Sequence, residues 1–129
     1  DVTAYFVTRI ASQQGGKIYA VDAKTGARKW SFPKNDAGLT SGHIFTTTPT
    51  LEKGKVYVGA SDGAMYVLDA QSGEEVIRFN TGRPINSSAV VEDGILYFGS
   101  NSGTLYALDP STGETATGWR NYNAGDSIV

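Results

Sequence analysis

Tyr66-Val67-Leu68-Asp69-Ala70-Gln71-Ser72-Gly73-Glu74 returns forty residues later as Tyr106-Ala107-Leu108-Asp109-Pro110-Ser111-Thr112-Gly113-Glu114. Working outward, the segment from Thr47 to Phe79 lies over the segment from Ser87 to Trp119 without a gap, and 10 of the 33 aligned positions are identical. Ordinary composition would give about two matches by chance. The identities include Glu52/Glu92, Gly54/Gly94, Tyr57/Tyr97, Gly59/Gly99 and Gly63/Gly103. An earlier copy precedes this pair, because Gly16, Tyr19, Asp22 and Gly26 stand 47 positions before Gly63, Tyr66, Asp69 and Gly73. The seven extra residues fall between Lys34 and Phe45, a Gly/Asn/Asp/Ser/Thr-rich stretch that reads as a longer loop.

Within each copy, apolar and aromatic runs of four to six residues alternate with turn signals, and no window sustains a helical period. In the last copy the expected strands are Ser87 to Val91, Ile95 to Ser100, Thr104 to Leu108 and about Glu114 to Trp119. Each connection ends in a Gly, the residue that a tight hairpin needs at positive φ. Four antiparallel strands in a repeat of about forty residues make one blade of a β-propeller. The expected fold is therefore all-β, with about three blade equivalents in a ring of roughly six to eight. The expected organisation is a partial first blade over residues 1–33 and the longer loop over 34–45. A second blade over 46–79, a third over 86–119 and the start of a fourth over 125–129 follow. Tyr5 matches Tyr57 and Tyr97 if the first hairpin is five residues longer, so the chain opens on the second strand of its blade. Three blade equivalents fall short of the roughly four or more that close a ring. The expectation is a segment of a longer polypeptide, or three-blade chains that pair.

The turns Asp22-Ala23-Lys24-Thr25-Gly26, Asp69-Ala70-Gln71-Ser72-Gly73 and Asp109-Pro110-Ser111-Thr112-Gly113 share one plan. An Asp can bond backbone N–H groups two residues on, a hydroxyl residue follows, and a Gly takes the left-handed conformation. A carboxylate that recurs in every repeat is a turn former, since one active site has no use for it in each blade.

Composition narrows the function. The 129 residues carry 16 Gly, no Cys and a formal net charge of −2. A charged fraction of 19% is low for a segment that wraps nucleic acid. Absence of Cys excludes disulfides and thiol chemistry, and no run reaches the roughly 18 apolar residues of a membrane helix.

The stretch Ala20-Val21-Asp22-Ala23-Lys24-Thr25-Gly26-Ala27-Arg28-Lys29-Trp30 fits the Ala-x-Asp-x-x-Thr-Gly-x-x-x-Trp docking motif in full. In this the chain resembles the pyrroloquinoline-quinone-type, or quinoprotein-like, β-propeller repeat family over essentially its whole length. The second copy has Ile77 and the third Thr117 at the Trp position, with Trp119 two residues on. The resemblance implies that Trp30 packs against the neighbouring blade. Asp22, Gly26, Asp69, Gly73, Asp109 and Gly113 are then structural repeat positions. Family dehydrogenases hold pyrroloquinoline quinone and Ca²⁺ and often stack an adjacent Cys pair on the cofactor. This chain has no Cys and no dense Asp/Glu/Asn cluster, so no catalytic, cofactor-binding or metal residue is assigned in this segment. Non-catalytic relatives, such as the lipoprotein of the outer-membrane β-barrel assembly machinery, use the same blades as a binding platform.

Several local patterns invite other chemistry. Gly59-Ala60-Ser61-Asp62-Gly63 spells the Gly-x-Ser-x-Gly elbow, but a strand follows where a helix is needed, and the equivalent Gly99–Gly103 has Asn101 in the Ser position. Gly15-Gly16-Lys17 lacks the hydroxyl residue and helix of a phosphate loop. The single His, His43, lies in the longer loop. Blade-end loops are where propellers vary, so Lys34, His43 and Arg83 are the expected interaction residues. The reading is a non-catalytic propeller segment serving protein interaction or assembly at a bacterial or archaeal envelope, in the periplasm, at the cell surface or outside the cell. Its partners would be the remaining blades or a second chain, and other envelope or surface proteins. The alternatives are a cofactor-remote part of a quinone- and Ca²⁺-dependent alcohol or sugar dehydrogenase, and a structural unit of a polymeric surface assembly.

Overall fold

A computed structural model describes residues 2–10, 15–35, 38–39, 43–119 and 122–129. Much of the 34–45 loop, including residues 36–37 and 40–42, therefore lies outside the described residues. Among those described there is no helix, and the strands form three antiparallel sheets. The first sheet has the order β1 (Thr3–Ile10), β2 (Gly15–Asp22), β3 (Arg28–Phe32). The second is β4 (Thr50–Glu52), β5 (Lys55–Gly59), β6 (Ala64–Asp69), β7 (Glu75–Asn80). The third is β8 (Val90–Glu92), β9 (Ile95–Gly99), β10 (Thr104–Leu108), β11 (Tyr122–Asn123). Sequential hairpins of this kind are propeller blades, the expected all-β class.

Alternation along the strands decides how the sheets stack. Val56, Val58, Ala64, Tyr66 and Leu68 point to the first sheet, where they bury Ile18, Ala20 and Trp30. The intervening Tyr57, Met65 and Val67 point to the third sheet and meet Leu96, Phe98 and Leu108. The second sheet is covered on both faces, so β6 reads as the nearly unbroken apolar run Ala-Met-Tyr-Val-Leu. Two of the hairpins are two-residue turns of left-handed residues, Lys53-Gly54 at φ 46 and 78 and Asp93-Gly94 at φ 51 and 77. That geometry matches the right-handed twist of the flanking strands.

The third sheet departs from the expected register. Glu114 to Trp119 is not a fourth strand: only Thr115 bridges, to Leu108, and the edge strand is β11, paired Thr104↔Asn123 and Leu105↔Tyr122. In the second sheet the corresponding pairs are Ala64↔Asn80 and Met65↔Phe79. The fourth strand of the third sheet thus carries three extra residues, looped out at Ala116–Trp119 where Trp119 N–H bonds Ala116 O at 3.0 Å and Gly118 has φ 79. From there the repeat distance is 43 rather than 40. Asn80, Gly82 and Ile85 return as Asn123, Gly125 and Ile128. Accordingly residues 125–129, expected to open a fourth blade, form no strand. Ile128 N–H bonds Ser100 O at 3.2 Å, just as Ile85 N–H bonds Ala60 O at 3.2 Å in the crossover after β7. The first strand of the third sheet is also shorter than expected, because Ile85 and Ala89 are held by the second sheet, the latter through Thr50 Oγ1 to Ala89 O at 2.8 Å.

These crossovers press on glycines. A Cβ on Gly59 would lie 2.6 Å from Ile85 Cγ2 and 3.0 Å from Thr47 Cγ2, and one on Gly99 would lie 2.2 Å from Ile128 Cγ2. Ile85 is fully buried and β-branched, so its methyl cannot swing aside. Gly59→Ala is expected to destabilise the chain by about 1–3 kcal/mol through overpacking. Urea unfolding checks this in a double-mutant cycle with Ile85→Ala, itself destabilising: the double variant should lose less than the sum of the two single losses, and strictly additive losses would place the strain elsewhere.

Candidate functional site

The three Asp turns are built alike. Asp22 Oδ1 accepts N–H from Lys24 and Thr25 at 2.8 and 3.0 Å, and Asp69 Oδ1 accepts from Gln71 and Ser72 at 2.8 and 3.0 Å. Asp109 Oδ1 accepts Ser111 N–H at 2.9 Å and the Ser111 hydroxyl at 2.6 Å. The hydroxyls of Thr25, Ser72 and Thr112 each accept the N–H two residues on at 3.2 Å, and Gly26, Gly73 and Gly113 sit at φ 76 to 79. Donated bonds favour the carboxylate, so all three acids are held below their ordinary 3.8: by the backbone N–H of Thr25 and then Lys24, of Ser72 and then Gln71, and at Asp109 by Ser111.

Just past this turn the fourth strand is bulged. Val21 faces Arg28 but Ala20 faces Trp30, and likewise Leu68 faces Glu75 but Val67 faces Ile77. The bulge aims Trp30 at the next blade. The indole is 7% exposed, donates Nε1–H to Ala70 O at 2.8 Å, and lies 5.9 Å from the Tyr5 ring. Its ring covers Gly73 so closely that a Cβ there would be 2.4 Å from Cδ2. At the second junction Ile77 and Phe79 approach Gly113 instead. Trp119, brought in by the three-residue insertion, meets Tyr97 edge-on at 5.8 Å, where Trp30 meets the equivalent Tyr5 at 5.9 Å with the rings tilted by 46°. Its Nε1 is buried and has no hydrogen-bond partner among the described residues.

The loop residues separate. Ser61 N–H bonds Ile44 O, and a Cβ on Gly63 would meet the Arg83 backbone at 3.0 Å, so His43 and Arg83 flank the same turn, residues 60–63. Lys34 instead reaches Glu74, beyond the far end of β6, at 3.8 Å with both side chains about 70% exposed, a contact worth little. His43 Nδ1 comes to 3.5 Å from Ser61 Oγ, beyond a good hydrogen bond, while that oxygen accepts Ile44 N–H at 2.9 Å. Asp62 does not orient His43; it accepts Ala64 N–H at 2.9 Å and the Tyr66 hydroxyl. The Gly59–Gly63 segment is a hairpin turn with Gly63 N–H on Ala60 O, not an elbow. Sequence reasoning missed the Tyr66 cluster. Burial, then Asp62, raises the phenol above its ordinary 10, and the Arg78 guanidinium lies 4.7 Å over the ring while gripping Glu75 with two bonds of 2.7 Å.

Two outcomes follow from this geometry. Trp30→Ala should cost about 3–5 kcal/mol, and Trp30→Phe, which keeps apolar bulk but loses the N–H, about 1–2 kcal/mol, by urea unfolding. For the acids the folded value lies below the unfolded one, so their stabilisation is present above pH 3.8 and lost as pH falls through the depressed folded values. Asp69→Asn keeps an acceptor for the turn but no charge to titrate. It should flatten the fall in melting temperature below that pH, and an unchanged slope would deny the turn its part in acid sensitivity.

Comparison with known proteins places this geometry. A family profile described as outer membrane protein assembly factor BamB matches residues 3–121. BamB from Moraxella catarrhalis superposes with a TM-score of 0.61 at 28% identity, covering 77% of this chain and 29% of that one. A europium-containing methanol dehydrogenase has a TM-score of 0.65 at 20% identity, over 89% of this chain and 22% of that one, a likeness of fold alone. In sequence, the quinohemoprotein alcohol dehydrogenase of Comamonas testosteroni is 40% identical over 68 residues, half of this chain and 10% of the dehydrogenase. The chain thus spans under a third of each of these relatives, and with its repeat, its Asp turns and its docked Trp30 it belongs to the PQQ-type β-propeller repeat family of the outer membrane protein assembly factor BamB.

Proposed function

We propose that the chain is a segment of a non-catalytic propeller that serves as a protein-interaction or assembly platform at a bacterial or archaeal envelope, in the periplasm, at the cell surface or outside the cell. The observation that carries this reading is the use of the recurring carboxylates. Asp22, Asp69 and Asp109 are each consumed by their own turn. These residues do not fit the Ca²⁺ of a quinone site, so no catalytic step is derived through it. The match to an assembly factor over residues 3–121 supports the same reading. Immediate partners are the remaining blades or a second chain, because three sheets fall short of the roughly four that close a ring. His43 and Arg83, beside one turn, form the outward surface; Lys34 serves elsewhere.

The second reading, a cofactor-remote part of a quinone-dependent alcohol or sugar dehydrogenase, is favoured by the 40% identity to the Comamonas enzyme. The full-length protein decides between them. Photoreactive residues at positions 43 and 83, placed in the native cells, should crosslink to one common protein, with position 34 giving a different pattern or none. Dye-linked alcohol or sugar oxidation after adding pyrroloquinoline quinone and Ca²⁺ would overturn the platform reading.

A further inference from the structure

Two departures from the repeat meet at one place. At the junction of the first and second sheets, Trp30 fills the space between Tyr5 and the turn at residues 69–73, and its N–H is taken by Ala70 O. Ala70 in turn donates its own N–H to Gly54 O at 2.9 Å, tying that turn to the adjoining hairpin, as Ala23 N–H does to Val2 O at 2.9 Å. At the junction of the second and third sheets, the Trp position is the shorter Ile77, and the Ala position is Pro110, which has no N–H to give to Gly94.

The space left by both changes is open. A cavity of about 450 Å³ is lined by Lys53, Lys55, Tyr57, Ile77 and Pro110, with Val67 and Val76 in its walls. A smaller one of about 160 Å³ shares Lys53, Lys55, Tyr57 and Pro110 and extends to Gly94. The larger lies in the range of roughly 300–1,000 Å³ typical of small-ligand sites. We propose that this cavity binds an aromatic ring bearing a carboxylate, seated between the Tyr57 ring and Pro110, beside the Gly113 surface that Phe79 and Ile77 already cover.

The walls supply the matching chemistry. Val67, Ile77 and the Pro110 ring offer an apolar slot beside the Tyr57 ring. The Pro110 carbonyl corresponds to the Ala70 carbonyl that receives the indole N–H, so a ring with an N–H donor is favoured over a plain phenyl. Lys53 and Lys55 provide two ammonium groups for the carboxylate. Glu52 and Asp93 line the smaller lobe together with the same two lysines, so the anion is favoured in the larger lobe, whose lining carries no carboxylate. The same chemistry is carried by a free indole acid and by the last residue of a peptide that ends in Trp. This site is independent of the platform reading, because it asks nothing of the loops at 43 and 83.

Titration calorimetry on the intact chain tests it with three probes: indole-3-acetate, a pentapeptide ending in Trp with a free carboxylate, and the same peptide amidated. One saturable site per chain for a free-carboxylate probe is expected, with the amide about tenfold weaker. Equal binding of both free acids means the terminal residue alone is read; preference for the peptide identifies a chain terminus as the ligand. Lys53→Ser with Lys55→Ser, the first exposed and the second half-buried in β5, should weaken binding about tenfold, and Lys53→Ser alone, at the exposed turn, should weaken it in the same direction while leaving the melting temperature nearly unchanged. Ile77→Trp should fill the slot, abolish binding and raise the melting temperature. Should Ile77→Trp misfold, Pro110→Ala restores the N–H for Gly94, narrows the smaller lobe and should weaken binding. Absence of saturable binding to the unaltered chain, or affinity unmoved by both the lysine pair and Ile77→Trp, overturns the proposal.

Discussion

A tryptophan can lie flat on a neighbouring blade only where that blade presents no side chain, and Gly73 provides that surface. The residue has φ 76 inside an Asp-capped turn, so the glycine that closes the hairpin is also the one that receives Trp30. Local turn chemistry and blade-to-blade packing are therefore the same requirement expressed twice. The indole N–H bond to Ala70 fixes the orientation of the ring, and the bulge between Ala20 and Val21 puts Trp30 in place to make it. Burial of both faces of the second sheet depends on this contact at one junction and on Ile77 and Phe79 at the other.

Much of the fold is legible in the chain because a propeller is built from local hairpins whose turns carry strong signals. The Asp-x-x-Ser/Thr-Gly plan, the two-residue hairpins and the apolar alternation of β5, β6, β9 and β10 all translate directly into the observed sheets. What escaped is the three-residue insertion within the Ala116–Trp119 loop. A gapless overlay accumulates its identities up to Glu74/Glu114 and none after, and the lost match reappears at a distance of 43 in Asn80/Asn123, Gly82/Gly125 and Ile85/Ile128. An insertion inside the outermost strand leaves no apolar signature, because that strand pairs on one side only. The displaced start of β8 has a different cause: Ala89 is claimed by a side chain of the preceding blade, a tertiary contact that no local pattern encodes.

The sites were legible to a lesser degree. Lys34, His43 and Arg83 share loop character in the sequence, yet only the last two flank one turn, because crossover segments separated by some forty residues dock on the same hairpin. The cavity beside Ile77 was written as one mismatch to the motif, Ile for Trp, and one departure from the other two turns, Pro110 where they carry Ala23 and Ala70. Each alone reads as tolerated variation; their meaning comes from the fact that positions 77 and 110, on different blades, face each other across one junction.

The crossovers between sheets are pinned at one recurring atom. Gly16, Gly63 and Gly103 each offer a carbonyl, to the N–H groups of Leu39, Thr81 and Ala124. Those partners stand at three different separations along the chain, yet the contact is the same. A crossover thus behaves like a strap buckled at a fixed hole, with its slack free to change. Lineages of such repeats can lengthen or shorten these straps, and so redraw the outer surface, without altering the angle between one blade and the next.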